Sequence, residues 1–364
     1  MEKETLNLKK KLVYVFQHLD ALYLFRNEIV RDHGKRAIQR FFFVQIDNLL
    51  KLAPQLKNRL AAEGSLSATD KVAVELAIGT LRGSYDGSFD SVRDKLAAHA
   101  QIMDLGTALA WWDSIDYSTI DVLYDDVERV ERTLRTSRDM DFARIGTDYR
   151  PLDVPSDNDL SPDSEKFHVD SGRLGLSSAG AVSLIVLAPE HKKAQLVVST
   201  LDMIRFDFAL TCLVENYSTR YRELLFDAGW LLALMDTCSL IDNLFDDSPI
   251  DGPSLLDQWE AIGLKGHAVL RDMDLRRDAV LEEEIRRLRN KFAAHIDADA
   301  EFEDLHAAFV RFDLARVVAY VHWLANGFLS ACRVDIRTRM FAVHGSLLAG
   351  VLDLMKTVKP FDDC

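Results

Sequence analysis

Apolar residues recur along this chain at spacings of three and four, the period of an α-helix with one buried face. Over residues 1–136 nearly every segment reads as helical. Pro54 interrupts the segment from Lys35 to Leu60, so a kink or split is predicted there. Ser67 and Thr69 precede Val72, Leu76, Ile78 and Leu81, which predicts a capped helix with that set facing inward. Gly83 and Gly87 break the chain, and Ser88 to Asp90 can cap the helix that follows. Leu105, Leu109, Trp112, Leu123, Val127, Val130 and Leu134 then continue at helical spacing. Residues 137–190 change character: they are rich in Pro, Ser and Asp and read as a loop-rich linker or small insertion. Its one convincing strand is Val182 to Leu187, with residues 142–145 as a candidate mate. From residue 191 helices resume, over 192–217, 221–246, 255–262, 275–295, 302–332 and 339–358. The prediction is an all-α protein of two tandem helical bundles, 1–136 and 191–364, joined by 137–190.

The two halves repeat each other. Residues 92–99 read VRDKLAAH and residues 288–295 read LRNKFAAH. Upstream, IDNLL from Ile46 to Leu50 reappears as IDNLF from Ile241 to Phe245. The spacing from Ile46 to Arg93 is 47 positions, and from Ile241 to Arg289 it is 48. Two matches in the same order at nearly equal spacing indicate an internal duplication. A weaker match places Arg26 and Glu28 opposite Tyr221 and Glu223.

The duplicated element is an Arg-x5-His pair: Arg93 with His99, and Arg289 with His295. In the second copy Leu281, Ile285, Leu288 and Phe292 form the apolar stripe. His295 continues that stripe, and Arg289 stands one residue past it, about 100° round the helix. Arg and His are about 120° apart on an ideal helix, so bringing them together needs a helix end or kink near the Ala-Ala. The repeated Asp47-Asn48 and Asp242-Asn243 are either a solvated helix face or supports that hold the Arg by a charge-assisted hydrogen bond.

Composition narrows the classes. The chain is 48% hydrophobic and 28% charged, as in a soluble globular protein. A net charge of −14 opposes non-specific wrapping of nucleic acid but leaves room for a small basic cleft. The four cysteines all lie in the second half without staple or zinc-finger spacing, which suits reduced cytoplasmic thiols. The N-terminus lacks a signal-peptide core, and no uninterrupted apolar run is long enough to span a membrane. No phosphate-cradling GxxxxGK[ST] loop is present, and His306 and His322 lack ligand spacing, so neither cofactor nor metal is expected. The run Glu282 to Arg289 is expected to make ion pairs within its own helix. Of Trp111 and Trp112, one is expected in the core and the other at an interface.

The pieces Arg93 to His99 and Arg289 to Asp297 resemble the Arg-x4-6-His signature of the HEPN superfamily of helical bundles. Asp94 and Asn290 fill the polar position after the Arg. The form R-N-K-x-A-A-H-x-D is similar to the abortive-infection branch. The resemblance covers the helical parts of both halves and not the linker. It implies a metal-independent endoribonuclease in which two such motifs meet in one cleft, here as an intramolecular pseudo-dimer. It further implies proton transfer by His99 and His295 and phosphate binding by Arg93 and Arg289. The products would be a 2′,3′-cyclic phosphate and a 5′-hydroxyl. Asp94, Asn290, Lys95, Lys291, Asp297, Asp47 and Asp242 are supporting candidates. The implied partners are RNA, tRNA among the candidates, and an antitoxin or defence-complex protein. The alternative is a non-catalytic nucleotide-binding or protein-interaction module of such a complex, and a third reading is a helical scaffold within one.

Overall fold

A computed structural model of the protein describes residues 2–28, 32–86, 89, 115, 117–135, 193, 194, 196, 197, 200, 201, 203, 204, 207, 222–247, 252–294, 296, 297 and 299–340. Helices dominate: α1 (Glu2–Glu28), α2 (Asp32–Ala62), α3 (Ala68–Asp86), α4 (Tyr117–Arg135), α5 (Arg222–Phe245), α6 (Leu255–Ala261), α7 (His267–Asp274), α8 (Ala279–Leu288), α9 (Phe302–Val310) and α10 (Leu314–Met340). A π-helical turn, Arg289–Ala293, continues α8. The described positions between 193 and 207 are helical too. No β-strand occurs among the described residues, and the fold is all-α. The linker strand and its candidate mate, Trp111, Trp112 and the helix over 339–358 beyond Met340 lie outside them.

Two helices are apolar on every side, and the others pack around them. In α2 the consecutive residues Phe41, Phe42, Phe43 and Val44 are all buried, and in α5 the consecutive residues Leu231 to Met235 are. Consecutive side chains point in all directions around a helix, so such a helix must be enclosed by neighbours. α1 packs along α2, and both pack on α5. α3 bridges α2 and α4, while α6, α7, α8 and the π-turn surround α5 from the other side. One continuous apolar cluster runs from Leu8 to Cys332, so residues of 1–136 and of 191–364 share it. α5 is the one described helix long and apolar enough to cross a membrane, and 78% of its apolar window is buried inside the protein.

Four expectations change. α2 runs unbroken through Pro54. Proline removes the donor for the carbonyl four residues earlier, and that carbonyl, Leu50 O, accepts instead from Arg82 Nη2 at 3.4 Å. In α3 the Ser67 cap forms, its Oγ accepting from Asp70 N at 3.1 Å. The inward stripe is Val74, Ala77, Ile78, Leu81 and Tyr85, while Val72 and Leu76 are 63% and 71% exposed. Hydrophobicity alone could not decide between two apolar stripes one residue pair apart. The segment 275–295 begins with a turn rather than a helix, because Asp278 caps α8 by accepting from Leu281 N at 3.1 Å. The helix over 302–332 is two helices, because Asp313 Oδ1 accepts from Arg316 N at 3.1 Å and starts α10 afresh.

Candidate functional site

The second motif is built on α8. Leu281, Ile285, Leu288 and Phe292 are buried as one stripe, as the spacing requires. At Arg289 the hydrogen bonding lengthens from four residues to five, and Ala294 N donates to Arg289 O at 2.9 Å. Such π-turns are uncommon and concentrate at functional sites. The departure from α geometry thus falls at the Arg and ends before the His, where convergence of the pair calls for a break.

Arg289 is half-buried, and its Nη1 donates to Asn290 Oδ1 at 2.8 Å. The polar residue after the Arg therefore touches the guanidinium directly. Lys291 is exposed and lies 3.5 Å from Asp297 Oδ2. Burial works against the Asp297 carboxylate, but the Asp299 N–H and the Lys291 ammonium prevail and hold its pKa below the usual range. Arg93, Asp94, Lys95, His99 and His295 lie outside the described residues.

The repeated aspartates have different partners. Asp47 pairs with Lys51 of its own helix at 2.7 Å. Asp242 accepts from Arg286 Nη1 at 2.5 Å. Burial raises the Asp242 carboxyl above the usual carboxylate range, with Arg286 opposing and the Arg289 charge also in reach. Asp242 therefore binds the arginine one turn before the motif. Arg286 also bonds Asp246 at 2.5 Å. Arg277 reaches Asp246, Asp274 and Glu282 at 3.0, 3.1 and 2.6 Å and lies over the Phe245 ring. Tyr320 donates to Glu282. Within the run 282–289, Arg286 thus pairs with α5 and Glu282 with Arg277 of the preceding turn, rather than with each other. Glu282 is buried and needs strong partners, and α5 presents Asp242 and Asp246 one turn apart on the facing side. Cys238, one turn further up α5, is a buried thiol pushed up to about 12 by burial and by Asp242, against the Arg289 and Arg286 charges.

Beyond the π-turn the chain is held by the other half. Ile296 N donates to Asn48 Oδ1 on α2 at 3.1 Å. Lys11 on α1, fully buried, donates to Asp297 O and to Ala300 O, each at 2.5 Å. Burial lowers the Lys11 pKa, and Asp297, Glu301 and Asp299 oppose that. Asn7 closes the turn, donating to Ala300 O at 3.0 Å and accepting from Phe302 N at 2.8 Å.

Beneath this turn Phe292 stacks on Tyr14 at 5.3 Å between ring centres, with Phe302, Phe309 and His306 around it. Tyr14 in turn meets His18 edge-on at 4.1 Å. His18 is fully buried with Nδ1 3.0 Å from Tyr14 O, and burial brings its pKa down to about 4. It is a neutral core histidine.

Sequence reasoning singled out Asn48 only as part of a repeated block. It passed over Asn7, Lys11, Tyr14 and His18. Lys11 stands within KKK and looks like solvated surface, so composition carried no sign of its burial. Comparison with protein-family models, with curated proteins and with solved structures found no match.

Proposed function

We propose that the protein is a cytoplasmic, metal-independent endoribonuclease of the defence or toxin type, with Arg93, His99, Arg289 and His295 as its catalytic residues. The reading rests on one observation above all: the same Arg-x5-His element occurs twice, at nearly the same distance from the same upstream block. The π-turn at the second copy and the contact of Arg289 with Asn290 support it.

In this reading RNA lies with its scissile phosphate between the two arginines. One imidazole removes the proton of the 2′-hydroxyl, and that oxygen forms a bond to phosphorus. The bond from phosphorus to the 5′-oxygen breaks, and the second imidazole protonates the departing oxygen. A 2′,3′-cyclic phosphate and a 5′-hydroxyl result. Imidazoles titrating near neutrality suit both transfers. The guanidinium groups hold the phosphate and offset charge that grows in the transition state. Asn290 orients Arg289, and Asp94 is its counterpart. Lys95 and Lys291 add positive charge along the RNA path. An antitoxin or defence-complex protein would use the acidic exterior.

The test is RNA cleavage in EDTA by wild type, His99→Ala, His295→Ala and the double variant. Cleavage that persists in EDTA and disappears in either single variant supports a composite site. Loss in one variant only makes the other half a structural partner. A folded wild type that cleaves neither total RNA nor tRNA favours a non-catalytic interaction module.

A further inference from the structure

The residues that precede and follow His295 in sequence are each held by a hydrogen bond from their main-chain N–H. On one side Ala294 N is bonded to Arg289 O within its own π-turn. On the other, Ile296 N is bonded to Asn48 Oδ1, which belongs to the other half of the chain. Ala294 and Ile296 are both buried. The next turn is then fastened at Asp297 O, Ala300 O and Phe302 N by Lys11 and Asn7. Every one of these side-chain contacts comes from α1 or α2.

We propose that this is a positioning clasp, with Asn48 at its centre. Through the Ile296 N–H, the first half fixes the main chain beside His295, so the second motif is competent only while α1 and α2 are docked on it. The consequence for rate rests on the ribonuclease reading; the consequence for His295 itself does not.

Two features favour this over ordinary packing. Asn48 is 1% exposed, and its Nδ2 has no hydrogen-bond partner among the described residues. Burying an amide with one end unused is costly, and an apolar side chain would fill the same space with no such cost. Among the described residues, the hydrogen bond of the Asn48 side chain goes to the residue after the motif histidine. In addition, the buried Lys11 on α1 donates to two carbonyls of the turn that follows, so α1 and α2 hold the same stretch of main chain. Asn48 also lies in the repeated block, and its equivalent Asn243 on α5 is buried at 3% exposed.

The test uses the full chain and three readouts: exchange of the Ile296 amide, NMR titration of the His295 imidazole, and RNA cleavage. In Asn48→Ala the Ile296 amide should exchange about fivefold to tenfold faster, having lost one hydrogen bond. The His295 titration should shift, and kcat should fall about tenfold to a hundredfold with KM changed less. Asn48→Asp keeps an accepting oxygen and replaces the NH2 with a carboxyl oxygen, so it should restore the Ile296 protection and most of the rate at a pH where that buried carboxyl is protonated. If Asn48→Ala fails to fold, Asn7→Ala loosens the far end of the same turn and carries the same readouts. Wild-type values of both the Ile296 exchange and the His295 titration in the alanine variant would overturn the clasp. A wild type without ribonuclease activity, whose His295 titration still moves in Asn48→Ala, would sink the ribonuclease reading and leave the clasp standing.

Discussion

Arg40 on α2 and Asp236 on α5 meet at 2.6 Å, with side chains only 4% and 3% exposed. Asp207 lies 3.4 Å from the other terminal nitrogen of the guanidinium and is wholly buried. One cation thus faces two carboxyls in the interior, at the place where the two halves press together. Burial works against the charge on Arg40, but Asp236 and Asp207 outweigh it and raise its pKa. Burial also raises Asp207 well above the usual carboxylate range, with Arg40 opposing and Asp236 reinforcing. Burial and the neighbouring Asp236 both favour the protonated form of Asp207.

Arg40→Met should cost about 3–5 kcal/mol, because it strands two acidic groups without their cation. Urea unfolding at pH 7 measures it. A loss under a tenth of that would mean the carboxyls find another partner.

The pH dependence has a definite sign. The native pKa of Asp207 is raised above its unfolded value near 4, so this group's contribution is full below that value and declines as pH rises through the raised native pKa. Asp207→Asn mimics the protonated acid and should flatten that decline. Unfolding curves between pH 5 and 8 would show a smaller slope in the variant; an unchanged slope would place the titration elsewhere.

His18 acts in the opposite sense. Its native pKa of about 4 lies below the ordinary value of 6.5, so the unfolded chain binds the proton first and stability is lost as pH falls from 6.5 towards 4. The shift amounts to roughly 3 kcal/mol at the acid end. His18→Phe, which keeps an aromatic ring against Phe41 and Tyr14, should lose most of this acid sensitivity. Equal losses in both proteins between pH 7 and pH 4.5 would rule the histidine out as the cause.

Gly327 marks a close approach of α7 to α10. A Cβ there would collide with Met273 Sδ and Cε. Gly327→Ala should destabilise by about 1–3 kcal/mol through overpacking. Met273→Ala in the same chain clears the space, so the double variant should cost less than the two single losses summed. Strict additivity in thermal unfolding would show that Met273 simply swings away.

Arg286 and Arg289 are separated by one helical turn and are expected to divide their labour. Arg286 ties Asp242 to Asp246, so Arg286→Ala should lower the melting temperature and spare most RNA cleavage. Arg289→Ala should leave the melting temperature within a few degrees of wild type and reduce kcat by about a hundredfold or more. The reverse pattern would move the phosphate site to Arg286.

Periodicity revealed the helices whose two faces differ in polarity. The α8 stripe from Leu281 to Phe292 was legible for that reason, as was the Ser67 cap before α3. It could not rank Val72 and Leu76 against Val74 and Ala77, since both sets are apolar and only the neighbours α2 and α4 decide. At Pro54 a split of the helix was ruled out only by the structure, because the cost of a missing donor was legible but Arg82 reaching Leu50 O was not. In the candidate site the duplicated motif exposed Arg289 and Asn290 directly. The opposite fates of Asp47 and Asp242 were hidden, because the sequence positions that answer them, Lys51 and Arg286, are not themselves repeated. Lys11 and Asn7 were invisible: their partners are main-chain atoms nearly three hundred residues away, and a carbonyl leaves no trace in a sequence.

That distance bears on how the chain is made. Asn7 and Lys11 leave the ribosome well before the carbonyls they bind, which are 293 and 286 positions further on. At a synthesis rate of about 5–20 residues per second, α1 waits roughly 15 seconds or more before its partner has been translated. Through that interval a lysine that ends wholly enclosed remains in water, and the apolar flank of α1 needs temporary cover from α2. Closing so long a loop comes late and slowly, so the docking of α1 onto the turn that Asn7 and Lys11 hold is a late step in folding. A nascent chain stalled before Phe302 would carry α1 without the turn that its Asn7 and Lys11 hold.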